Sequence, residues 1–230
     1  MTNGASPVRI DLTVDPAIRA IVRLGLVRAQ PVATAPSSAR LSAELDELAE
    51  EYRGRYVGRS PAEIAPLADA RELYRAFGID PTRTRPSSEA LLRRALKGEP
   101  LPRISNAVDV CNLCSLRFLL PIGLYDASKI APPVTLRRGR PGESYRGIRK
   151  DDVHLEGRPV LEDVEGPFGN PTSDSWRTSV DGGTTSLWMV IFAPSSYPGE
   201  RMQDNVRIAR DSMERHLAPA GGAVATTGES

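Results

Sequence analysis

The stretch Leu101 to Asp126, LPRISNAVDVCNLCSLRFLLPIGLYD, constrains this chain more than any other. It reads as a helix, a turn and a strand. With Ile104 at the origin of a helical wheel and about 100° per residue, Ser105, Asn106, Asp109 and Asn112 share one arc about 120° wide. Ile104, Ala107, Val108, Val110, Cys111 and Cys114 occupy the rest. A mostly apolar helix therefore carries one narrow stripe of amides, a hydroxyl and a carboxylate. A wholly buried helix does not need the stripe. A surface helix would fill it with Lys and Glu rather than Asn and Asp, which are poor helix formers. Two readings stay open: the stripe bonds to neighbouring loops as structural polar groups, or it lines a site or props the loops that do.

The rest of the chain sorts around this stretch. A short strand is expected at Val8–Leu12 and a second at Ala17–Val27, followed by a Pro- and Ser-rich loop from Pro31 to Ser38. Ala39 to Tyr52 has helical spacing at Leu41, Leu45 and Leu48. Ser60 and Pro61 cap a helix expected to run to Phe77 and stop at Gly78, and Pro86 opens another that closes at Gly98. Beyond Asp126 strands and turns dominate: Pro133–Arg138, Ser144–Ile148, Val153–Leu155 and Arg158–Asp163, then a glycine- and hydroxyl-rich loop from Gly166 to Ser175. Ser186 to Ala193 (SLWMVIFA) has no charge and predicts a fully buried strand. Glu200 to Leu217 is amphipathic and helical, and Ala218 to Ser230 is expected to be a disordered tail. Helices early and strands late give an α+β class, with a mixed sheet or distorted barrel flanked by helices, and one domain over residues 1–217.

Composition excludes several classes. Apolar content of 40% and charged content of 26% suit a soluble globular protein of 230 residues. No run is long and apolar enough to span a membrane, and the Ala17–Val27 stretch is broken by Arg19 and Arg23, so a cytoplasmic location and no membrane partner are expected. The net charge of +1 argues against a wholesale polyanion binder. Charge is uneven, however: residues 53–103 carry eleven Arg and Lys against six acids, and 137–150 carry six against one. Local basic surface is compatible with RNA. Arg83 and Arg85, in a proline-bounded loop, and Arg137, Arg138, Arg140, Arg146, Arg149 and Lys150 are candidates to meet a phosphate backbone. Each can equally be solvated surface.

Other chemistry is sparse. Cys111-x-x-Cys114 sits within the helix on its apolar arc, where two buried structural cysteines are expected rather than a redox pair. A zinc site wants about four ligands, and the two histidines, His154 and His216, lie far apart in sequence. No phosphate loop or nucleophile motif is present, so neither metal nor cofactor is expected. The loop Gly166–Ser175 (GPFGNPTSDS) is the second informative element: its glycines allow close approach to a ligand, and Thr172, Ser173, Asp174 and Ser175 follow. It forms either a self-bonded turn or a hydroxyl-lined pocket wall.

The residues also resemble a known family. N-A-V-D-V-x-N from Asn106 to Asn112, followed by P-I-G-L-Y-D-x-x-K-I from Pro121 to Ile130, is similar to the tRNA-binding B3/B4 editing domain of the phenylalanyl-tRNA synthetase β subunit. That family reads N-x-V-D-x-T-N, then G-Q-P-L-H-A-F-D-x-D-K. The basic strand Thr135–Glu143, the Gly166–Ser175 loop and the apolar strand after it continue the likeness, which covers residues 86–195 and looks closest to free-standing versions of the domain. The synthetase histidine is replaced by Gly123, and its loop glutamate has no clear counterpart, Pro171 or Thr172 falling near it.

The resemblance implies a B3/B4-like fold and an RNA-binding protein that hydrolyses the ester of a mischarged aminoacyl-tRNA in trans. Asp174 would position the water, Thr172, Ser173 and Gly123 would line the substrate site, and Asn106, Asp109 and Asn112 would support it. The expected partner is tRNA or aminoacyl-tRNA, with no DNA. Two alternatives use the same fold: a non-catalytic tRNA- or protein-binding module, and a pocket for a free amino acid or small metabolite.

Overall fold

The uncharged run that ends at Ala193 is core on both of its faces. In the computed structural model, which describes residues 12–148 and 152–229, it forms strand β9 (Leu187–Pro194), every residue of which is buried. Leu187, Met189, Ile191 and Ala193 enter one core, and Trp188, Val190 and Phe192 enter another. Strand alternation sends neighbours to opposite sides, and no polar residue interrupts it, so both faces must be covered.

Strands β2 (Val22–Gln30) and β3 (Ile122–Asp126) flank β9 antiparallel, and β10 (Ala225–Glu229) adds to the far edge of β2. Helices α1 (Ala39–Arg55), α3 (Ser87–Leu96), α4 (Asn106–Phe118) and α5 (Gly199–His216) fill the first core. A second sheet closes the other core, in the order β1 (Leu12–Val14), β4 (Val134–Arg138), β7 (Pro159–Asp163), β8 (Gly166–Gly169). Its β1–β4 pair is parallel and the others are antiparallel, so the sheet is mixed. Helix α2 (Leu67–Ala76) contributes Leu67 to the first core and Leu73 to the second. A ribbon of β5 (Ser144–Arg146) and β6 (Asp152–His154) packs Tyr145 and Val153 onto Leu155 and Val160. The fold is α+β, with helices on one side of a central sheet and a mixed sheet on the other; neither sheet closes into a barrel. Among the described residues no helix is long and apolar enough to cross a membrane.

The helix–turn–strand unit read from Leu101–Asp126 is present, with its start moved. Ser105 is the N-cap, its side chain accepting from Val108 N, so Ile104 lies outside the helix and is 54% exposed. At the other end Leu119 takes φ 55°, and Ser115 Oγ donates to Leu120 O at 2.8 Å. That tight reversal places Ile122 and Leu124 of β3 in the core shared with α4.

Three expectations are corrected. Residues 16–21 are turn rather than strand, because Asp15 caps Ala17 N through its side chain and accepts from Ile18 N and Arg19 N. The helix expected from Pro61 to Phe77 is a 3₁₀ turn (Pro61–Glu63) followed by α2. Pro66 lacks the N–H and crowds the preceding turn, so one helix cannot run through it. The tail is not wholly irregular: Ala225–Glu229 pairs with β2 residue by residue, with Val224 buried before it. The strand expected at Val8–Leu12 lies outside the described residues except for Leu12.

The tail strand yields a test. A Cβ at Gly228 would meet Val206 Cγ1 at 2.3 Å. Gly228→Val should therefore destabilise the protein by about 1–3 kcal/mol in chemical denaturation. A chain ending at Leu217 should melt lower than the full chain and aggregate more readily, because the β2 edge is left unpaired.

Candidate functional site

Strand β3 is the last strand of the central sheet, and among the described residues no further strand covers its outer edge. Between that edge, helix α4 and the segment 174–181 lies a cavity of about 780 Å³. Ile104, Val108, Cys111 and Asn112 line it from the helix side, and Ile122 and Leu124 from β3. Lys129, Ile148, Asp174, Trp176, Arg177, Ser179, Val180 and Asp181 complete it. The size and the mostly apolar wall with a few polar groups are those of a small-molecule site.

Asp174 is the buried acid of this cavity. The residue keeps some accessible surface, yet its Oδ1 has none and has no hydrogen-bond partner among the described residues. Oδ2 accepts a long bond, 3.5 Å, from Leu124 N. Burial pushes the carboxyl up from 3.8 to about 7, and the neighbouring Tyr125 hydroxyl and Leu124 N–H offset only part of that. A carboxyl of this kind changes charge near neutral pH. The Cys111 thiol lines the same cavity and is pushed well above its ordinary value by burial, and Cys114 is pushed up to about 12, so both are protonated thiols.

The loop before Asp174 is held from three sides. Asn170 Oδ1 accepts from Thr172 N at 2.7 Å and Ser173 N at 2.9 Å, an Asx turn. Tyr74 Oη donates to Pro171 O at 2.9 Å, and Thr172 Oγ1 bonds to the same tyrosine at 3.2 Å. Tyr145 Oη donates to Ser173 O and accepts from Asn170 Nδ2. Thr172 and Ser173 thus serve the turn and do not line the cavity. The self-bonded reading of this loop holds for them, whereas Asp174 emerges into the cavity.

The remaining sequence-predicted residues divide similarly. Asn106 bonds to Ala33 O, His216 O and Ala35 N, tying the loop before α1 to the end of α5. Asp109 accepts from Ser37 Oγ at 2.5 Å and Ile104 N at 3.1 Å. Both are structural, and of the stripe only Asn112 lines the cavity. Gly123 does not line it either. A Cβ there would lie 2.0 Å from Tyr125 Oη, and one at Gly169 would lie 2.3 Å from the same atom. The two glycines make room for the Tyr125 ring, which meets Phe168 edge-on at 5.1 Å.

The family described as B3/4 domain matches residues 69–217, well over half of the chain. The chain belongs to the B3/4 domain family. It is also 29% identical over 133 residues to the phenylalanine–tRNA ligase beta subunit of Thermobifida fusca (strain YX), covering 54% of this chain and 16% of the ligase subunit. An N-terminal fragment of the phenylalanyl-tRNA synthetase beta subunit from Pyrococcus horikoshii aligns with a TM-score of 0.48 and 12% identity, over 95% of this chain and 54% of the fragment. The chain therefore spans a small part, 16%, of the length of the ligase subunit it matches.

The arginines of this B3/4 domain depart from the sequence reading. Arg137 is buried, its guanidinium shared between Glu143 and Glu162 at 2.5–2.8 Å. It is a structural ion cluster and no RNA contact: Glu162 comes from the paired strand β7, which a charge run read along the chain does not reveal. Arg138 lies over the Phe77 ring at 4.8 Å and donates to Gly157 O, and Arg140 sits 3.3 Å from Glu162. Arg83 and Arg85 are exposed and make no ion pair with a described residue. Arg149 and Lys150 lie outside the described residues. At the cavity, Lys129 is bound by Asp181 and Ser179 O, both at 2.7 Å, and Arg177 by Asp163 and Glu165. Sequence reading missed Trp176, a large aromatic isolated in a small-residue loop; that isolation was the available signal.

Three expectations follow. Arg137→Ala leaves the partly buried Glu143 and Glu162 with only the exposed Arg140 as cation and should cost about 3 kcal/mol in urea unfolding. The double change Arg83→Glu and Arg85→Glu should leave stability within about 0.5 kcal/mol. For Asp174, the folded-state value of about 7 lies above the ordinary 3.8. The folded protein therefore holds this proton more tightly, and the stability it contributes is present below pH 3.8 and lost as pH rises through 7. Asp174→Asn cannot ionise, so its melting temperature should match wild type at low pH and exceed it at pH 8, by no more than about 4 kcal/mol in stability.

Proposed function

We propose that this B3/4 domain binds the aminoacylated end of a tRNA and hydrolyses the ester of a mischarged amino acid in trans. The observation that carries the reading is Asp174: a carboxyl that lines an apolar cavity of about 780 Å³ and is poised to ionise near pH 7. An aminoacyl ester is already activated. The protein need only hold a water against the carbonyl and stabilise the charge that develops on its oxygen. A general base works best when its pKa is near the working pH, and Asp174 meets that condition. The Leu124 N–H, whose contact with Asp174 is long at 3.5 Å, supplies a donor beside the carboxylate. Ile104, Val108, Ile122, Leu124 and Val180 would surround an apolar amino-acid side chain, and Asn112 would offer its amide. The likeness to the phenylalanine–tRNA ligase beta subunit supports tRNA as the carrier.

One observation favours a second reading, a free amino acid or similar metabolite as ligand. Both cations at the cavity, Lys129 and Arg177, are already paired with carboxylates and offer little to a phosphate.

The test is deacylation of a panel of mischarged aminoacyl-tRNAs by wild type and Asp174→Asn. Release of one or a few apolar amino acids is expected, with kcat/KM rising with pH through about 7 and flat above it. The variant should lose at least about 100-fold. Equal rates in wild type and variant would remove Asp174 from the reaction. No release, together with thermal stabilisation by a free amino acid, would establish the second reading.

A further inference from the structure

We infer that Trp176 and Arg146 form a stacking site for an unpaired nucleobase at the mouth of the cavity. The inference rests on the proposed function and names a subsite within it. Trp176 is 53% exposed, whereas the protein's other tryptophan, Trp188, is 1% exposed in the core. Leaving an indole in water forgoes roughly 1.5–3 kcal/mol of burial, so a large ring held open asks for a cover. The ring is carried on a fixed backbone. Ser175 bridges Gly147, and Trp176 N donates to Arg146 O at 2.8 Å. The Arg146 guanidinium lies 5.4 Å from the ring centre and forms no ion pair with a described residue.

The surroundings favour a nucleobase over a protein partner. Trp176 and Arg177 belong both to the main cavity and to a shallower one of about 500 Å³ beside it, which adds Ser144, Arg146, Glu165 and Pro167. That flank sets the charged Arg146 and Glu165 beside mainly apolar surface from Trp176, Pro167 and Tyr145, a mixture that suits a flat aromatic ligand with a charged linkage. A planar ring beside an unpaired guanidinium suits a base stacked on its face and a phosphate on its linkage. Trp176 follows Asp174 by two residues, and both line the main cavity.

The experiment is titration of the full chain with adenosine 5′-monophosphate and with a short RNA ending in CCA, read by tryptophan fluorescence. Trp188 is buried and should stay silent. Saturable quenching by both is expected, with none from inorganic phosphate. Trp176→Leu keeps an apolar side chain without the aromatic face; it should bind the RNA about 10-fold or more weakly at an unchanged melting temperature. Arg146→Gln should weaken the RNA and leave inorganic phosphate without effect. No quenching, or wild-type RNA affinity in Trp176→Leu, would overturn the inference. The proposed reaction is judged separately: quenching without ester hydrolysis leaves the stacking site standing, and Asp174-dependent hydrolysis with an unchanged KM in Trp176→Leu removes it.

Discussion

Strand β9 has to be covered on both faces, and much of the architecture follows from that demand. One face takes Leu187, Met189 and Ile191 into the helical core, and the other takes Trp188, Val190 and Phe192 onto the mixed sheet. Its neighbour β3 inherits the same division. Ile122 and Leu124 join the core shared with α4, while Tyr125 joins the other. Because β3 ends the sheet, its outer backbone groups need partners that are not a strand. Segment 174–181 supplies some: Thr178 O accepts from Asp126 N at 2.9 Å, and Asp174 reaches Leu124 N only loosely. The cavity occupies the place where this substitution for a strand is incomplete.

An acid in such a place works against folding, and the structure keeps it there by restraint. The loop could otherwise swing Asp174 into water. Tyr74, Tyr145 and Asn170 hold Pro171, Thr172 and Ser173, so the chain enters position 174 with no slack. Tyr125, accommodated by Gly123 and Gly169, fills the space behind the carboxyl. Energy forgone in burying an acid without a full set of partners, and held by surrounding packing, is the usual signature of a site built for something other than stability. The same geometry explains why a glycine stands at 123: a side chain there would displace the Tyr125 ring.

Local patterns carried most of the fold into the sequence. The β9 run, the helix over Asn106–Phe118 and the amphipathic α5 are all legible, since each is decided by an unbroken apolar run or a 3.6-residue period; the Ser105 cap is a finding of the structure. What was not legible depended on partners distant in sequence. Arg137 reads as a surface cation until β7 brings Glu162 beside it. Thr172 and Ser173 read as pocket hydroxyls until Tyr74 and Tyr145 arrive from about 98 and 28 residues away. Residues 225–229 lack any apolar pattern and become a strand because β2 offers an edge. Asp174 is legible as a candidate from its loop, but its elevated pKa and its neighbour Tyr125 come from tertiary packing alone.

The charge arrangement limits how any polyanion could be recognised. With 30 basic against 29 acidic residues, cations and acids are nearly balanced, and Lys129 and Arg177 at the cavity and Arg137 on β4 each pair with an acid in the structure. Phosphate contacts set the salt sensitivity of nucleic-acid binding, roughly 0.9 counterions released per contact on a duplex and fewer on a single strand. The two cations that line the cavity, Lys129 and Arg177, are both paired with carboxylates and leave room there for few phosphate contacts. Affinity for an RNA end would then have to come mainly from what enters the cavity and what lies on Trp176. Discrimination would follow the same route, because apolar fit and stacking depend on the ligand's shape, whereas a broad basic surface accepts any phosphate chain.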